Sequence, residues 1–235
     1  MQKRAIAVIA IAVLICLAPA AGQALEAYYQ DFDGMDLPSE GALLGDGWLI
    51  YANVFGYDWG WWYGYGAFAA PNDGAAFCAV VAGEGMGAQS LSVYSDYNNG
   101  DHANGIIESN VFQEQIITAG DVGEIWTFDF LAKMGNLEGS TTAEAYIKTL
   151  NPAAGYATTN HIKADMTTTP ASWNNYSISI TIDAGLVGQV LQFGFTNFAR
   201  LYEGSGVFYD GVNFYTENPV SGEDSTWGEM KSLFR

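Results

Sequence analysis

Beyond its first two dozen residues the chain alternates short apolar or β-branched runs with clusters of Gly, Asn, Asp and Pro. The 3.6-residue period of an amphipathic helix is nearly absent. Ser177-Ile178-Ser179-Ile180-Thr181-Ile182 alternates polar and apolar side chains at every step, as a half-buried strand requires. The same reading predicts strands over 28–33, 48–55, 75–81, 89–94, 106–117, 125–133, 142–150, 173–182, 190–197 and 206–215. Between them lie turn sequences such as Asn98-Asn99-Gly100-Asp101, Ala103-Asn104-Gly105 and Gly135-Asn136. Strands at this spacing predict an all-β chain, an antiparallel sandwich or barrel. Neither an internal repeat nor a break in composition divides 25–216, so one domain is expected there.

The two ends depart from this pattern. Lys3 and Arg4 precede an unbroken apolar run over 5–17, and Pro19 with small residues follows. That order predicts an export signal over 1–24, and a secreted, periplasmic or cell-surface location after its removal. The run is shorter than the ~20 residues of a membrane span, so none is expected in the mature chain. Cys16 lies inside the run, which leaves Cys78 alone and excludes an intramolecular disulfide in the mature protein. At the other end, 217–235 begins as a polar linker and finishes with Trp227, Met230, Leu233 and Phe234 at helix-compatible spacing. It reads as a tail that folds back or frays, or else as a docking segment.

Composition adds that a sizeable core is available, since 49% of residues are apolar and 14% aromatic. Charge narrows the partners. There are 26 Asp plus Glu against 8 Lys plus Arg, and no Lys or Arg occurs between Leu25 and Ala132. Such a surface cannot release counterions from a nucleic-acid backbone, so DNA and RNA are excluded as default partners. A polyanion would be repelled. A bound polymer is expected to be neutral.

The densest candidate chemistry is aromatic. Ten of the twenty-one residues from Trp48 to Phe68 are aromatic, and Tyr57, Trp59, Trp61, Tyr63 and Tyr65 recur at every second position. Fully extended, these five rings share one face. Flat rings suit the C–H faces of sugars, while Tyr hydroxyls and Trp N–H groups stay free to hydrogen-bond. The competing reading is a core strand or a glycine-rich loop folded on the sheet. Catalytic patterns are scarce. The chain has only His102 and His161, both in turn-like surroundings, and it lacks a Gly-x-Ser-x-Gly elbow. Paired carboxylates from distant strands remain open.

Four parts of the chain carry a family resemblance. The strand Gly123-Glu124-Ile125-Trp126-Thr127-Phe128-Asp129-Phe130-Leu131-Ala132-Lys133 resembles an aromatic strand of jelly-roll carbohydrate-binding modules. Thr169-Pro170-Ala171-Ser172-Trp173-Asn174-Asn175-Tyr176-Ser177-Ile178 and the closing Gly206-Val207-Phe208-Tyr209-Asp210-Gly211-Val212 are similar to further strands of that family, and Asp31-Phe32-Asp33 with Gly47-Trp48 to its opening. The family commonly has Glu where Asp33 stands, and the likeness leaves out 51–105, where the aromatic ladder lies. The resemblance implies a galactose-binding-like β-sandwich, glycan bound through aromatic rings, and a structural calcium ion at Asp33 and Asp210. From the residues themselves, Asp31 or Asp33 can approach Asp210 only if the first and last strands pair.

The expected function is thus secreted, non-catalytic binding of a neutral polysaccharide, with Tyr57, Trp59, Trp61, Tyr63 and Tyr65 as the platform. The alternative is a structural or adhesive surface protein that uses the aromatic patch against protein. Behind both stands a small glycan lyase or hydrolase. The export reading predicts that secreted material begins at Ala21 or Leu25, after Ala20 or Ala24. Intact-mass measurement checks it, and a retained Met1 would contradict it.

Overall fold

The computed structural model describes residues 24–37, 40–72 and 74–217. The signal reading over 1–24 and the tail reading over 217–235 fall almost wholly outside the described residues. Two six-stranded antiparallel sheets pack face to face as a jelly-roll β-sandwich. The strands are β1 Tyr28–Gln30, β2 Leu49–Phe55, β3 Trp61–Ala69, β4 Cys78–Ala82, β5 Gln89–Val93 and β6 Ile106–Ile116. They continue with β7 Ile125–Met134, β8 Thr142–Asn151, β9 Ala157–Asp165, β10 Asn174–Thr181, β11 Val190–Ala199 and β12 Val207–Thr216. One sheet runs β10-β7-β12-β5-β4, with β1 also paired to β12, and the other runs β3-β2-β6-β11-β8-β9.

Alternation decides which side chains meet between the sheets. On β2, Ile50, Ala52 and Val54 are buried while Tyr51, Asn53 and Phe55 face outward. On β11, Phe193 and Phe195 point inward and stack on β12, Phe193 on Phe214 at 4.2 Å and Phe195 on Tyr209 at 3.6 Å between centroids. Phe128 and Phe130 of β7 wedge against the same two phenylalanines. Trp48, fully buried ahead of β2, lies parallel to Phe195. Each such ring pair contributes about 0.5–1.5 kcal/mol beyond its buried area, so this aromatic layer is the main tie between sheets.

Ten strands fall where the alternation predicts them, within a few residues. Three elements differ. The short helix α1, Glu40–Gly45, closes the β1–β2 connection and is too brief to show a period. β9 escapes notice because it is an edge strand whose only core contacts are Ile162 and Ala164. His161 lies on that strand, not in a turn, and His102 is fully buried. The aromatic segment becomes a β2–β3 hairpin at the edge of the second sheet, rather than one extended run.

The paired ends of the chain follow the expectation. β1 lies antiparallel to β12, with Gln30 opposite Val212. β12 changes neighbour along its length, from β5 at Val207–Tyr209 to β1 at Val212–Phe214, and Asp210 stands at the changeover.

At the centre of the second sheet Gly194 is required by close approach. A Cβ there would lie 2.2 Å from the Val111 carbonyl oxygen and 2.7 Å from the Phe112 Cα. Both are backbone contacts that cannot swing aside. Gly194→Ala is therefore expected to cost about 1–3 kcal/mol by overpacking, read as a lowered melting temperature. An unchanged melting temperature would contradict the close approach.

Candidate functional site: a cleft on the outer face of the second sheet

The outward side chains of β2, β6, β11, β8 and β9 line a cleft of about 720 Å³. Register places them in rows. Tyr51, Asn110, Thr196 and Glu144 stand abreast on β2, β6, β11 and β8. Farther along, Glu114, Gln192, Lys148 and His161 do the same on β6, β11, β8 and β9. Neighbouring strands lie about 4.8 Å apart, so the floor is broad enough for an extended chain.

The floor is polar and internally tied. Lys148 Nζ lies 3.5 Å from Glu108 Oε1, 3.0 Å from Asn110 Oδ1, and 4.1 Å from the centroid of the Tyr146 ring. Burial pulls the Lys148 ammonium below its usual range, and the Glu108 carboxylate pulls it back up. A charge this enclosed needs its partner, because a lone buried ion is costly. Glu108 passes the connection on. Asn53 Nδ2 donates to Glu108 Oε2 at 2.6 Å, and the Trp61 indole N–H donates to Asn53 Oδ1 at 3.1 Å. An ion pair on the floor thus holds, through one amide, the indole of a tryptophan that is 61% exposed.

The sequence reading missed Glu108, Lys148, Asn53 and Asn110. They meet only through strand pairing across the sheet, which no local spacing reveals. Tyr156, 62% exposed in the β8–β9 turn, borders the cleft at the end of β8 and β9 and was missed as well.

The five ladder residues divide. Tyr57 and Trp59 sit in the hairpin turn, where Gly56 N–H donates to the Gly60 carbonyl at 2.8 Å and Gly60 N–H to Asp58 Oδ1 at 3.0 Å. Trp59 has φ 64°, a left-handed conformation costly for a bulky residue, and its ring lies against Phe55 and Phe198 of the outer face. Tyr57 lies under the Arg200 guanidinium, 5.3 Å from its ring centroid. On β3, the extra residue Trp62 makes a bulge opposite Val54 and Phe55 of β2, so that Phe55 faces Trp61 while Val54 faces Tyr63. Trp61 therefore joins Asn53 on the cleft side, whereas Tyr63 and Tyr65 join Val54 and Ala52 on the other. The expectation of one shared face is corrected. A one-residue slip exchanges faces in a period-two strand.

Asp33 and Asp210 come together at one loop. Asp33 Oδ1 accepts the amide hydrogens of Ala88 and Gln89 at 2.7 and 2.8 Å. Asp210 accepts those of Met86 and Gly211, each at 2.7 Å. The pair therefore pins the β4–β5 turn to the β12 changeover. Burial, with the negative charges of Asp33 and Asp31, pushes the Asp210 carboxyl up to about 6, against the pull of its two amide partners. Hard oxygens under mutual repulsion fit the chemistry of calcium. Among the described residues no group of three or more His, Cys, Asp or Glu side chains is gathered to hold a metal, so backbone and water oxygens would have to complete its shell.

No family model and no curated protein matches the chain. Similar solved structures include the xylan-binding CBM22-1 domain from Paenibacillus barcinonensis Xyn10C, at 12% identity over 85% of this chain and 97% of that one, TM-score 0.44. A Stig cyclase from Fischerella sp. TAU is similar at 13% identity over 81% and 89%, TM-score 0.41. The enzymatically active domain of a bacteriophage CBA120 tailspike is similar at 12% identity over 76% of this chain, TM-score 0.45, and the chain spans only 20% of that domain. Carbohydrate-binding modules and enzymes both occur among these neighbours, so the function must be read from this chain's own cleft.

The Asp210 shift has a testable sign. A carboxyl raised in the fold favours the protonated state there, so its contribution to stability is complete below about pH 4 and is lost as pH rises through about 6. Asp210→Asn, compared with the parent by denaturant unfolding, should remove a fall on the order of 2 kcal/mol across that window. Parallel pH profiles would contradict the shift.

Proposed function

We propose that the chain binds a neutral polysaccharide along this cleft and does not cleave it. The observation that carries the reading is Trp61, an exposed ring fixed by the Lys148–Glu108–Asn53 chain of contacts. Exposed large aromatics are usually mobile, and immobilising one on binding costs about 0.5–1.5 kcal/mol. Here that ordering is complete before ligand arrives. Trp59 on Phe55 and Phe198 extends the platform toward the turn, and Tyr51 and Tyr156 supply rings farther along. Gln192 and His161 offer hydrogen-bonding partners for sugar hydroxyls between the banks. Glu108 and Lys148 neutralise each other, so the floor offers an anionic sugar no free cation. A carboxylate already bound to an ammonium and an amide is also poorly placed to act as a general acid or base.

Trp61→Ala should weaken pull-down on the polysaccharide that the parent binds by about 2 kcal/mol, while its melting temperature stays close to the parent's. Binding should change little with salt. Released oligosaccharide would replace this reading with an enzyme. Concentration-dependent self-association that Trp61→Ala abolishes, without sugar binding by the parent, would replace it with the adhesive alternative.

Secretion through removal of 1–24 and a calcium ion at Asp33 and Asp210 complete the proposal. Support for the ion is the meeting of Asp33 and Asp210 at one turn, where burial first, and the charges of Asp33 and Asp31 after it, raise the Asp210 carboxyl. Calcium at a hundredfold excess over its dissociation constant should stabilise the fold by about 2.7 kcal/mol, and Asp210→Ala should lose that response. A melting temperature indifferent to calcium and chelator removes the ion and leaves the cleft reading standing.

A further inference from the structure

The face of the β2–β3 hairpin turned away from the cleft ends in a second concavity. Tyr63, Tyr65, Gly74, Asp96, Asn98 and Asn99 border a notch of about 230 Å³. The rings of Tyr63 and Tyr65 lie 6.1 Å apart and are tilted by 32°. Both hydroxyls are tied to the turn that follows β5. Tyr65 donates to Asp96 Oδ2 at 2.6 Å and Tyr63 to Asp101 Oδ2 at 2.7 Å. Asn99 Nδ2 in turn donates to both phenol oxygens, at 3.2 and 3.1 Å. Tyr65 is backed by an edge-on contact with the buried Phe77. Two aromatic rings are thus held open beside a polar wall, with no role in the cleft.

The wall pairs carboxylates with the side-chain amides of Asn98 and Asn99. Asp96 is buried and spent on the Tyr65 hydroxyl and the Asn98 amide, whereas half-buried Asp101 accepts the Tyr63 hydroxyl and, with about four acceptor positions on its carboxylate, keeps some free. No Lys or Arg occurs anywhere between Leu25 and Ala132, the stretch that builds the whole notch. A ligand here must bring its own hydrogen-bond donors and carry no negative charge. Adjacent hydroxyls of a sugar ring meet that requirement, and the ring's C–H face meets the tyrosines. The volume suits one ring rather than a chain.

We propose that this notch is a second glycan site, independent of the cleft, that takes a single neutral pyranose through the Tyr63–Tyr65 pair and the carboxylate of Asp101, with Asp96 as the buried anchor of Tyr65. It shares with the cleft reading only the premise that the ligand is a sugar. One strand then serves two sites, divided by the bulge that sends Trp61 one way and Tyr63 and Tyr65 the other.

Backbone-amide NMR of the mature chain titrated with the methyl β-glycosides of xylose, glucose and galactose tests this. At least one glycoside should shift the amides of Gly74, Asn98 and Asn99 with millimolar affinity, and Trp61→Ala should leave that response intact. Tyr63→Ala should weaken it about tenfold. Asp101→Asn keeps both rings and removes one carboxylate charge; it should weaken the response several-fold, and it serves if Tyr63→Ala fails to fold. Silence at these amides with all three glycosides overturns the proposal. So does glucosamine binding there with salt-sensitive affinity in place of the neutral glycosides, which would mark an amine site. Failure of the cleft reading would show separately, as polysaccharide pull-down undiminished in Trp61→Ala.

Discussion

Stacking of Phe193 on Phe214 and Phe195 on Tyr209 is the contact on which the rest of the structure depends. Cys78 is free, so cohesion between the sheets comes from packing. These rings come from β11, the middle of the cleft sheet, and from β12, the middle of the other. Inward stacking on β11 fixes, by alternation, that Gln192, Gly194 and Thr196 face outward into the cleft. The candidate cleft is in that sense the reverse side of the core. A ring displaced between the sheets would tilt the floor on which Lys148 and Glu108 meet.

Much of the architecture was legible in the chain because burial writes a period of two into any strand covered on one side. β7, β10 and β12 show this, and their alternation located them within a residue or two. β9 was illegible for the same physical reason in reverse, since an edge strand with Ile162 and Ala164 as its only core contacts carries little of the signal. The site was half legible. Composition exposed Trp59 and Trp61 as outstanding rings, and both reach the outer face. The division of the ladder was not readable, because a bulge depends on the partner strand and leaves no mark in local spacing. Lys148 and Glu108 are forty residues apart in the chain and two strands apart in the sheet, so only the fold introduces them.

The excess of carboxylates has a structural use beyond solubility. Asp33 and Asp210 accept amide hydrogens from one turn, and Asp121 accepts the amide of Leu25 and two donors from Thr118. At Asp121 and Asp210, both buried, backbone N–H groups take the place of cations as partners. That substitution binds distant segments together. Asp121 ties the start of the described chain to the β6–β7 connection, and Asp210 ties the β4–β5 turn to the last strand.

The bulge in the β2–β3 hairpin also bears on how ligand range changes through descent. Where a register slip decides which rings look toward which surface, a codon gained or lost in the 56–60 turn reassigns several aromatics at once. A point substitution alters one contact and leaves the others in place. Such a change would have to keep Gly64 and Gly66 in place, because a Cβ there would lie 2.4 Å from the Tyr51 hydroxyl and 2.6 Å from the Ile50 carbonyl oxygen. The hairpin sits at the rim of the sheet, where its remodelling leaves the stacked interior untouched. Diversification here would proceed by short changes of length, with the scaffold's stability as a bystander.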